Sequence, residues 1–245
     1  MNPRDALKHD RRRFLQLASA AAGVLAFNGL ALAQPAGGKM KIGIVGAGKV
    51  GGTLGTVWAK AGHEVMFSSL DIEQDKALAA RVGARARAGT PREAAAFGDV
   101  VLVSVPYGAL PAVGKDLRDL IKGKVVIDTC NPFVNRDGEI ATWARQKGAG
   151  DASKELLPGA RIVRAFNAIG YARMGEAHQQ PGKVGMPIAG DDPEAIKVAS
   201  ALIRDIGFEP VLIGPLVRGK HLMPGTPLAG ERSPDEIRKI AATLD

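Results

Sequence analysis

The sequence contains few cysteines and few aromatic side chains. Cys130 is the only cysteine, so the chain can form neither an internal disulfide nor a metal site built on several thiolates. Phe, Tyr and Trp together make up 4% of the residues, and the basic residues behind the net charge of +8 are scattered along the chain. No basic stripe interleaved with aromatic residues is present, which argues against nucleic-acid binding, while the mild positive charge favours phosphorylated ligands.

Glycine, by contrast, is abundant, with 31 residues among 245. Short apolar runs rich in β-branched residues alternate with helical segments, and we find no internal repeat. Strands are predicted at 40–45, 64–67, 84–88, 99–106, 124–132, 161–165, 185–189 and 209–213. Helices are predicted at 49–61 and 72–82, after the capping residues Thr90 and Asp192, and after Ser233. This alternation predicts an α/β fold with a doubly wound, mostly parallel sheet and helices on both faces.

The first 33 residues have the organisation of an export signal. Arg11-Arg12-Arg13-Phe14-Leu15 resembles the twin-arginine pattern, a weakly apolar, Ala-rich stretch follows, and Ala31-Leu32-Ala33 is an A-x-A cleavage site. An uncleaved anchor is the alternative, which the weak hydrophobicity disfavours. We therefore predict a signal peptide over 1–33, a linker over 34–39 and export of the folded protein to the periplasm. The membrane would be contacted only through the signal before cleavage.

A glycine motif lies between the first predicted strand and the first predicted helix. Gly46-Ala47-Gly48-Lys49-Val50-Gly51 is G-x-G-x-x-G, which in this context predicts dinucleotide binding. Gly46 would permit a sharp turn, Gly48 would let a pyrophosphate approach the backbone, and Gly51 would let helix and strand pack closely. The helix N-terminus would supply N–H groups to the phosphates. A glycine-rich turn without a ligand is the competing interpretation.

This motif predicts a Rossmann-type single domain over 40–215, followed by a short C-terminal tail over 216–245 that carries a helix. In such folds the end of the second strand contacts the ribose of the adenosine. Ser68 and Ser69 lie there, and Asp71 follows. Hydroxyl groups suit the 2′-phosphate of NADP, whereas a carboxylate suits NAD, and Asp71 could instead cap the next helix. The residues alone lean slightly towards NADP and leave NAD open.

The order of several motifs resembles that of a known family. The segments KIGIVGAGKVGG, VVLVSVPYGAL, VVIDTCNPF, IVRAFNAIG, MPIAGDD and DIGFEPVLIGPL follow one another between residues 40 and 216. In this order they resemble the NADPH-dependent oxidoreductases of the coenzyme F420 reductase type. They are also similar to the NADPH-oxidising domain of the six-transmembrane metalloreductases. The resemblance implies hydride transfer between the nucleotide and a small-molecule acceptor, which is flavin-like, F420-like or a metal chelate.

The resemblance also implies which residues contact the cofactor. Residues Ala47 to Val50 would contact the pyrophosphate, and Ser104, Val105 and Pro106 would line the cofactor after the fourth strand. Asn131, Pro132, Phe166 and Asn167 would surround the nicotinamide. All of these segments follow predicted strands, where open α/β sheets bind their ligands. Turn capping is the competing role of the two asparagines.

Two positions depart from the family pattern. Leu70 stands where relatives commonly have an Arg that holds the 2′-phosphate, so a charge-assisted contact with NADP is lost and NAD becomes credible, with Asp71 as its ribose ligand. NADP remains the cofactor that the resemblance implies. Lys49 or Arg87 could compensate. Cys130 replaces a small hydroxyl residue or Ala, and we interpret it as a small buried residue and not as a reactive thiol.

Hydride transfer to a flavin-like ring requires mainly proximity and orientation, so we predict neither a catalytic acid–base pair nor a metal site. His63 is expected at the surface, His178 in a polar loop, and His221 near the substrate side. Tyr171 could stack near the nicotinamide. The alternatives are a carbonyl reductase that uses His221 as proton donor and a non-catalytic dinucleotide-binding module of an exported redox system.

The segment after Ile213 bears on the substrate cleft. It holds about thirty residues, too few for the large helical domain of related carbonyl and imine reductases. The cleft would therefore be completed by loops, by the tail or by a second subunit in a homodimer.

Overall fold

The computed structural model describes residues 38–244, and the predicted signal peptide and most of the predicted linker lie outside the described residues. Eight strands form one sheet in the order β3-β2-β1-β4-β5-β6-β7-β8. They are β1 (Lys41–Val45), β2 (Glu64–Ser68), β3 (Ala86–Ala88), β4 (Val100–Val103), β5 (Val125–Asp128), β6 (Arg161–Arg164), β7 (Val184–Gly190) and β8 (Phe208–Gly214). The eight strands predicted from the sequence are thus confirmed.

The direction of the strands divides the sheet into two parts. Strands β1 to β6 are mutually parallel in the order 3-2-1-4-5-6, which is that of dinucleotide-binding Rossmann folds. Strand β7 is antiparallel to β6, and β8 is parallel to β7. The reversal occurs because the segment between β6 and β7 contains only a one-turn helix and a 3₁₀ turn, whereas a parallel connection needs a full crossover.

Helices cover both faces of the sheet, as predicted. They are α1 (Lys49–Lys60), α2 (Ile72–Val82), α3 (Pro91–Phe97), α4 (Leu110–Asp116), α5 (Arg118–Ile121), α6 (Val134–Asp137), α7 (Glu139–Lys147), α8 (Ala149–Leu156), α9 (Tyr171–Met174), α10 (Pro193–Asp205) and α11 (Pro234–Ala241). The capping boxes predicted at Thr90 and Ser233 and the cap at Asp192 are present. Helices α4 to α8 were not predicted, because none exceeds nine residues and a 3.6-residue period is hard to detect at that length.

Most of the core lies in two layers, one on each face of the sheet, and a smaller third cluster lies around β7, β8 and α11. Alternate residues of β4 divide between them: Val100 and Leu102 pack with α1 and α10, whereas Val101 and Val103 pack with the helices that follow β4. Trp58 of α1 is fully buried in the first layer, and its indole N–H donates to the carbonyl oxygen of Leu202 at 2.8 Å. Helix α10 is thereby fixed against α1.

The prediction that His63 lies at the surface was wrong. Its side chain is fully buried at the turn between α1 and β2. Nδ1 accepts a hydrogen bond from the backbone N–H of Met40 at 3.1 Å, and Nε2 lies 2.9 Å from the carboxylate of Asp205 at the end of α10. The turn is covered by a helix about 140 residues further along the chain, which a local pattern cannot indicate.

The described residues also bear on membrane insertion. Between residues 38 and 244 no helix is both long and apolar enough to cross a membrane.

Candidate functional site

The glycine loop, residues 46–51, has the geometry that its predicted roles require. Gly46 has φ +100°, and a Cβ there would lie 2.2 Å from the carbonyl oxygen of Ser104. A Cβ at Gly51 would lie 2.1 Å from the carbonyl oxygen of Gly46, so this glycine allows the start of α1 to approach β1. A Cβ at Gly48, in contrast, would meet no heavy atom within 4 Å. The space above Gly48 is therefore open to a ligand.

The N-terminus of α1 adjoins this open space. Gly48 is its N-cap, no side chain caps the helix, and the first turn holds no acidic residue. The backbone N–H groups of Gly46 and Ala47 donate to the carbonyl oxygen of Ser68 at 2.8 and 2.9 Å, which fastens the glycine loop to the end of β2. An uncapped helix N-terminus presents free N–H groups and the positive end of the helix dipole, so it suits an anion such as a pyrophosphate.

A cavity of about 240 Å³, here called the crevice, extends from the glycine loop across the ends of β4 and β5. Its lining includes the predicted residues Gly48, Lys49, Val50, Ser104, Val105, Pro106 and Asn131, together with Thr129, Cys130, Phe133 and Arg136. Three of the four segments that the resemblance associates with the cofactor therefore meet in one place. Phe133 and Arg136 were not predicted, although they follow directly on the Asn131-Pro132 segment.

The two predicted asparagines link the ends of β5 and β6. Nδ2 of Asn131 donates to the carbonyl oxygen of Asn167 at 2.7 Å, and Nδ2 of Asn167 donates to the carbonyl oxygen of Cys130 at 3.4 Å. Both Oδ1 atoms are buried and have no hydrogen-bond partner within the described residues. Buried acceptors are rarely left unpaired, so the Oδ1 of Asn131, which lines the crevice, is suited to a bound donor such as a carboxamide NH₂, whereas Asn167 is 2% exposed and lies outside the crevice lining.

Phe166 does not face the crevice, contrary to the prediction. Its ring is 2% exposed and packs edge-on against Trp58 and Phe208, with ring centres 6.0 and 5.8 Å apart. It is the only described residue other than glycine with positive φ, +65°, and this conformation turns the chain at the end of β6. Pro132 is also buried.

The residues at the end of β2 play different parts. Ser68 is fully buried, and its hydroxyl donates to the carbonyl oxygen of Ile44 at 2.7 Å, so its side chain is closed to a ligand, contrary to the predicted contact. Ser69 donates to the carboxylate of Asp75 at 2.9 Å. Asp71 is exposed and takes its alternative role as N-cap of α2, accepting from the N–H groups of Glu73 and Gln74.

A buried ion pair lies beneath the crevice. Arg164 of β6 and Asp128 of β5 are neighbours in register, and both side chains are fully buried. The guanidinium of Arg164 also donates to the carbonyl oxygen of Cys130 at 3.0 Å, and Asp128 accepts from the N–H of Cys130 at 2.7 Å. The pair thus fixes the backbone that carries Asn131. The charged residues at the ends of the short strands β5 and β6 were the sequence signal that could have revealed it.

The segment after Asn131 is tied to the opposite wall of the crevice. Asp137, whose side chain is 2% exposed, accepts from the N–H groups of Gly108 and Phe133 and pairs with Arg136. Burial raises the pKa of Asp137, but these hydrogen bonds outweigh it and hold the pKa below its ordinary value. Arg136 stays half-exposed at the mouth, 5.0 Å from the centre of the Phe133 ring.

Other candidates from the sequence lie outside the crevice. Tyr171 is exposed, and the ammonium of Lys49 lies 5.3 Å from its ring centre, beside a second cavity of about 460 Å³ along α1 and α2. His178 is exposed in a 3₁₀ turn, and His221 is partly buried at the end of another.

The hydroxyl of Tyr107 is buried below the crevice, which raises its pKa to about 12. Within residues 38–244 no group of His, Cys, Asp and Glu could hold a metal ion.

The comparison with known families agrees with this geometry. Residues 41–132, which run from β1 to the Asn131-Pro132 segment, match the family described as NADP oxidoreductase, coenzyme F420-dependent. A relative named F420-dependent NADP reductase, from Methanothermobacter thermautotrophicus, is 29% identical over 203 residues, which are 77% of this chain and 87% of the relative. The metalloreductase STEAP3 of Rattus norvegicus is 26% identical over 74% of this chain and 35% of its own length.

Solved structures support the same fold. The crystal structure of a hypothetical protein from Sinorhizobium meliloti has a TM-score of 0.65 and 25% identity over 78% of this chain and 93% of its own. A putative F420-dependent NADP reductase from Arthrobacter has the same TM-score at 20% identity, over 74% of this chain and 87% of its own. The resemblance indicated by the sequence motifs is therefore confirmed: this chain has a Rossmann-type α/β fold and is similar to the F420-dependent NADP oxidoreductases.

Proposed function

We propose that this chain is an NAD(P)-dependent oxidoreductase that transfers hydride between a nicotinamide dinucleotide and a flavin-like, F420-like or metal-chelate acceptor. The observation that carries the proposal is the continuity of the uncapped N-terminus of α1 with the crevice at the strand ends. The N-terminus of α1 suits a pyrophosphate, and the crevice at the strand ends suits a carboxamide. The relatives named as NADP reductases support the same reading.

Each part of the site has a separate task in binding. The glycine loop would hold the pyrophosphate on the backbone N–H groups at the start of α1. The unpartnered Oδ1 of Asn131 would accept from the carboxamide and so fix which face of the ring is presented. When bound, a nicotinamide supplies the hydride or accepts it, and the protein contributes mainly orientation and exclusion of water.

The mouth of the crevice supports a flat acceptor. Phe133 is 40% exposed there, and Arg136 lies over its ring. An exposed ring suits stacking with another planar group. A proton donor is not needed for transfer to a flavin-like ring. His221, the proton donor considered for a carbonyl reductase, is absent from the crevice lining.

Gly48 provides a test that separates binding from folding. Because a Cβ at this position meets only open space, Gly48→Ala should leave the unfolding midpoint unchanged while placing a methyl group where the pyrophosphate would lie. We expect dinucleotide affinity, measured by titration calorimetry on the full chain, to fall by about tenfold or more, which is about 1.4 kcal/mol. Gly170→Ala is the matched control, since its Cβ is also free of contacts.

The activity itself is tested by mixing the full chain with NADH or NADPH and with flavin mononucleotide, F420 or a ferric chelate. Oxidation of a reduced nucleotide by one of these acceptors, lost in the Gly48→Ala variant, is the expected result. Tight nucleotide binding without oxidation by any acceptor would contradict the proposed enzymatic activity and would favour a non-catalytic dinucleotide-binding module. Equal affinity of the Gly48→Ala variant and the parent chain would contradict the site.

We also propose that residues 1–33 direct export by the twin-arginine route. The proposal rests on the arginine, apolar and cleavage patterns of the sequence. A reporter fused after Ala33 should reach the periplasm and should fail to do so when Arg11, Arg12 and Arg13 are changed to Lys. A reporter that stays in the cytoplasm in both cases would overturn it.

A further inference from the structure

The residues that would contact the 2′-position of the adenosine ribose lie at the end of β2. In folds of this strand order, a carboxylate near this point binds the 2′-hydroxyl of NAD, whereas a nearby Arg accommodates the 2′-phosphate of NADP. The end of β2 adjoins the glycine loop, because the carbonyl oxygen of Ser68 binds the N–H groups of Gly46 and Ala47. The positions that would distinguish NAD from NADP are therefore those of Ser69, Leu70 and Asp71.

Carboxylates dominate this region. Asp71 caps α2, and the first turn of that helix adds Glu73 and Asp75. Asp75 is 2% exposed and accepts the hydroxyl hydrogen of Ser69, so this hydroxyl has no hydrogen left to donate to a phosphate. The N-terminus of α2, which would otherwise attract an anion, is already occupied by the carboxylate of Asp71.

The side chain of Leu70 projects fully into solvent between these groups and brings no charge. Two of the cations that could replace an Arg there are engaged in ion pairs, whereas Lys49 lies against the Tyr171 ring and lines the cavity along α1 and α2 together with Asp75. Arg87 of β3 pairs with Glu64 at 3.1 Å and lies 5.1 Å from the Phe97 ring centre. Lys76 pairs with Glu73 at 2.8 Å. Arg81 lies in the last turn of α2, about 15 Å along the helix from Asp71.

We infer that this chain selects NAD(H) over NADP(H), in contrast to its relatives named as NADP reductases. This inference rests on the proposed function, since it concerns the same dinucleotide. One carboxylate oxygen of Asp71 makes only a 3.4 Å contact with Gln74 and can accept from a ribose hydroxyl. A 2′-phosphate at the same place would face the carboxylates of Asp71 and Asp75 without an Arg at position 70 to offset them.

Direct binding is the test, and it needs no acceptor. Calorimetric titration of the full chain with NAD⁺ and NADP⁺ should give a dissociation constant at least about tenfold lower for NAD⁺. Leu70→Arg should strengthen NADP⁺ binding and so reduce or reverse the preference for NAD⁺. This gain in NADP⁺ affinity should become smaller as salt is added. Leu212→Arg, at a half-exposed leucine on β8, is the matched control and should leave the ratio unchanged.

A second variant tests the carboxylates. Asp75→Asn keeps the shape and a hydrogen-bond acceptor for Ser69 but removes a charge, so NADP⁺ affinity should rise while NAD⁺ affinity stays nearly constant. If the parent chain binds NADP⁺ as tightly as NAD⁺ and Leu70→Arg changes neither affinity, the inference about selectivity is overturned while the proposed function stands. Binding of neither nucleotide would instead overturn the proposed function, so the two failures are distinguishable.

Discussion

Cys130 lies under the crevice, but its thiol is inaccessible to reagents and unreactive. Its side chain is 2% exposed, and burial raises the pKa of its thiol well above the ordinary value, with the carboxylate of Asp128 adding to the effect. Since the thiolate is the reactive form, the native protein should resist iodoacetamide and Ellman's reagent near neutral pH. One thiol per chain should react once the protein is unfolded in guanidinium, because the sequence has a single cysteine.

The rate of modification of Cys130 also reports on the crevice. If a dinucleotide binds as proposed, its addition should slow whatever residual modification the native chain shows. Stoichiometric labelling of the native protein within minutes would contradict the buried, neutral thiol. It would instead indicate that the wall formed by Thr129 and Cys130 opens on that timescale.

Single residues also show where sequence reasoning reaches its limit. The glycine loop could be predicted because a Cβ at Gly46 or Gly51 would collide with the backbone, while Gly48 leaves the space above the loop open. The direction of the Phe166 side chain could not, because it depends on one positive φ angle and on packing against Trp58 and Phe208, which lie far away in the chain. The same holds for Ser68, whose hydroxyl turns to the neighbouring strand.

At the scale of elements, the ion pair between β5 and β6 should stabilise the site only as a pair. Removing one partner leaves a fully buried, uncompensated charge, so Asp128→Leu or Arg164→Met alone should lower the free energy of unfolding by about 3–5 kcal/mol. The double variant should recover part of this loss, because no buried charge remains. Denaturant unfolding of the parent and three variants completes the cycle.

The exposed pair of Arg92 and Asp119 provides the control for this cycle. Both side chains are more than half exposed, so Arg92→Met and Asp119→Leu should change stability little, alone or together. Losses in the Asp128 and Arg164 variants that simply add would show that the two charges are independent, against the geometry. Dinucleotide affinity should also fall in the single variants, since the pair fixes the backbone before Asn131.

Elements were predicted well where local signals were strong and poorly where they were not. Capping boxes at Thr90 and Ser233 located α3 and α11, and β-branched runs located the strands. Strand direction was a different matter. The reversal at β7 depends on the missing crossover helix between β6 and β7, and the one-turn helix there has no periodic pattern that a sequence could reveal. Arg136, which α6 supplies to the crevice, was missed for the same reason.

At the scale of the whole molecule, His63 joins three distant parts of the fold. It connects the start of β1, the end of α1 and the end of α10 through Met40 and Asp205. Burial lowers the pKa of His63 below 6.5, and the hydrogen bond with Asp205 and its charge only partly oppose this effect, while Lys39 adds to the lowering. Because Nδ1 accepts from the Met40 N–H, the folded state holds the imidazole neutral with its proton on Nε2.

The consequence is a pH dependence with a definite sign. In the unfolded chain His63 takes up a proton as pH falls through about 6.5, whereas the folded chain resists it, so the unfolded state binds more protons in this window. The free energy of unfolding should therefore be highest above about pH 7 and should fall between about pH 7 and the lowered folded pKa, below which it levels off. Urea unfolding at several pH values measures this slope.

A pair of substitutions assigns the slope to one residue. His63→Gln should lower stability at pH 8, because a buried hydrogen-bonded ring is lost, and should flatten the dependence between about pH 7 and 5.5. His178→Gln, at an exposed position in a 3₁₀ turn, should retain the slope of the parent chain. An unchanged slope in the His63 variant, or a parent chain that becomes more stable as pH falls through this range, would contradict a neutral buried imidazole that holds α1 and α10 together.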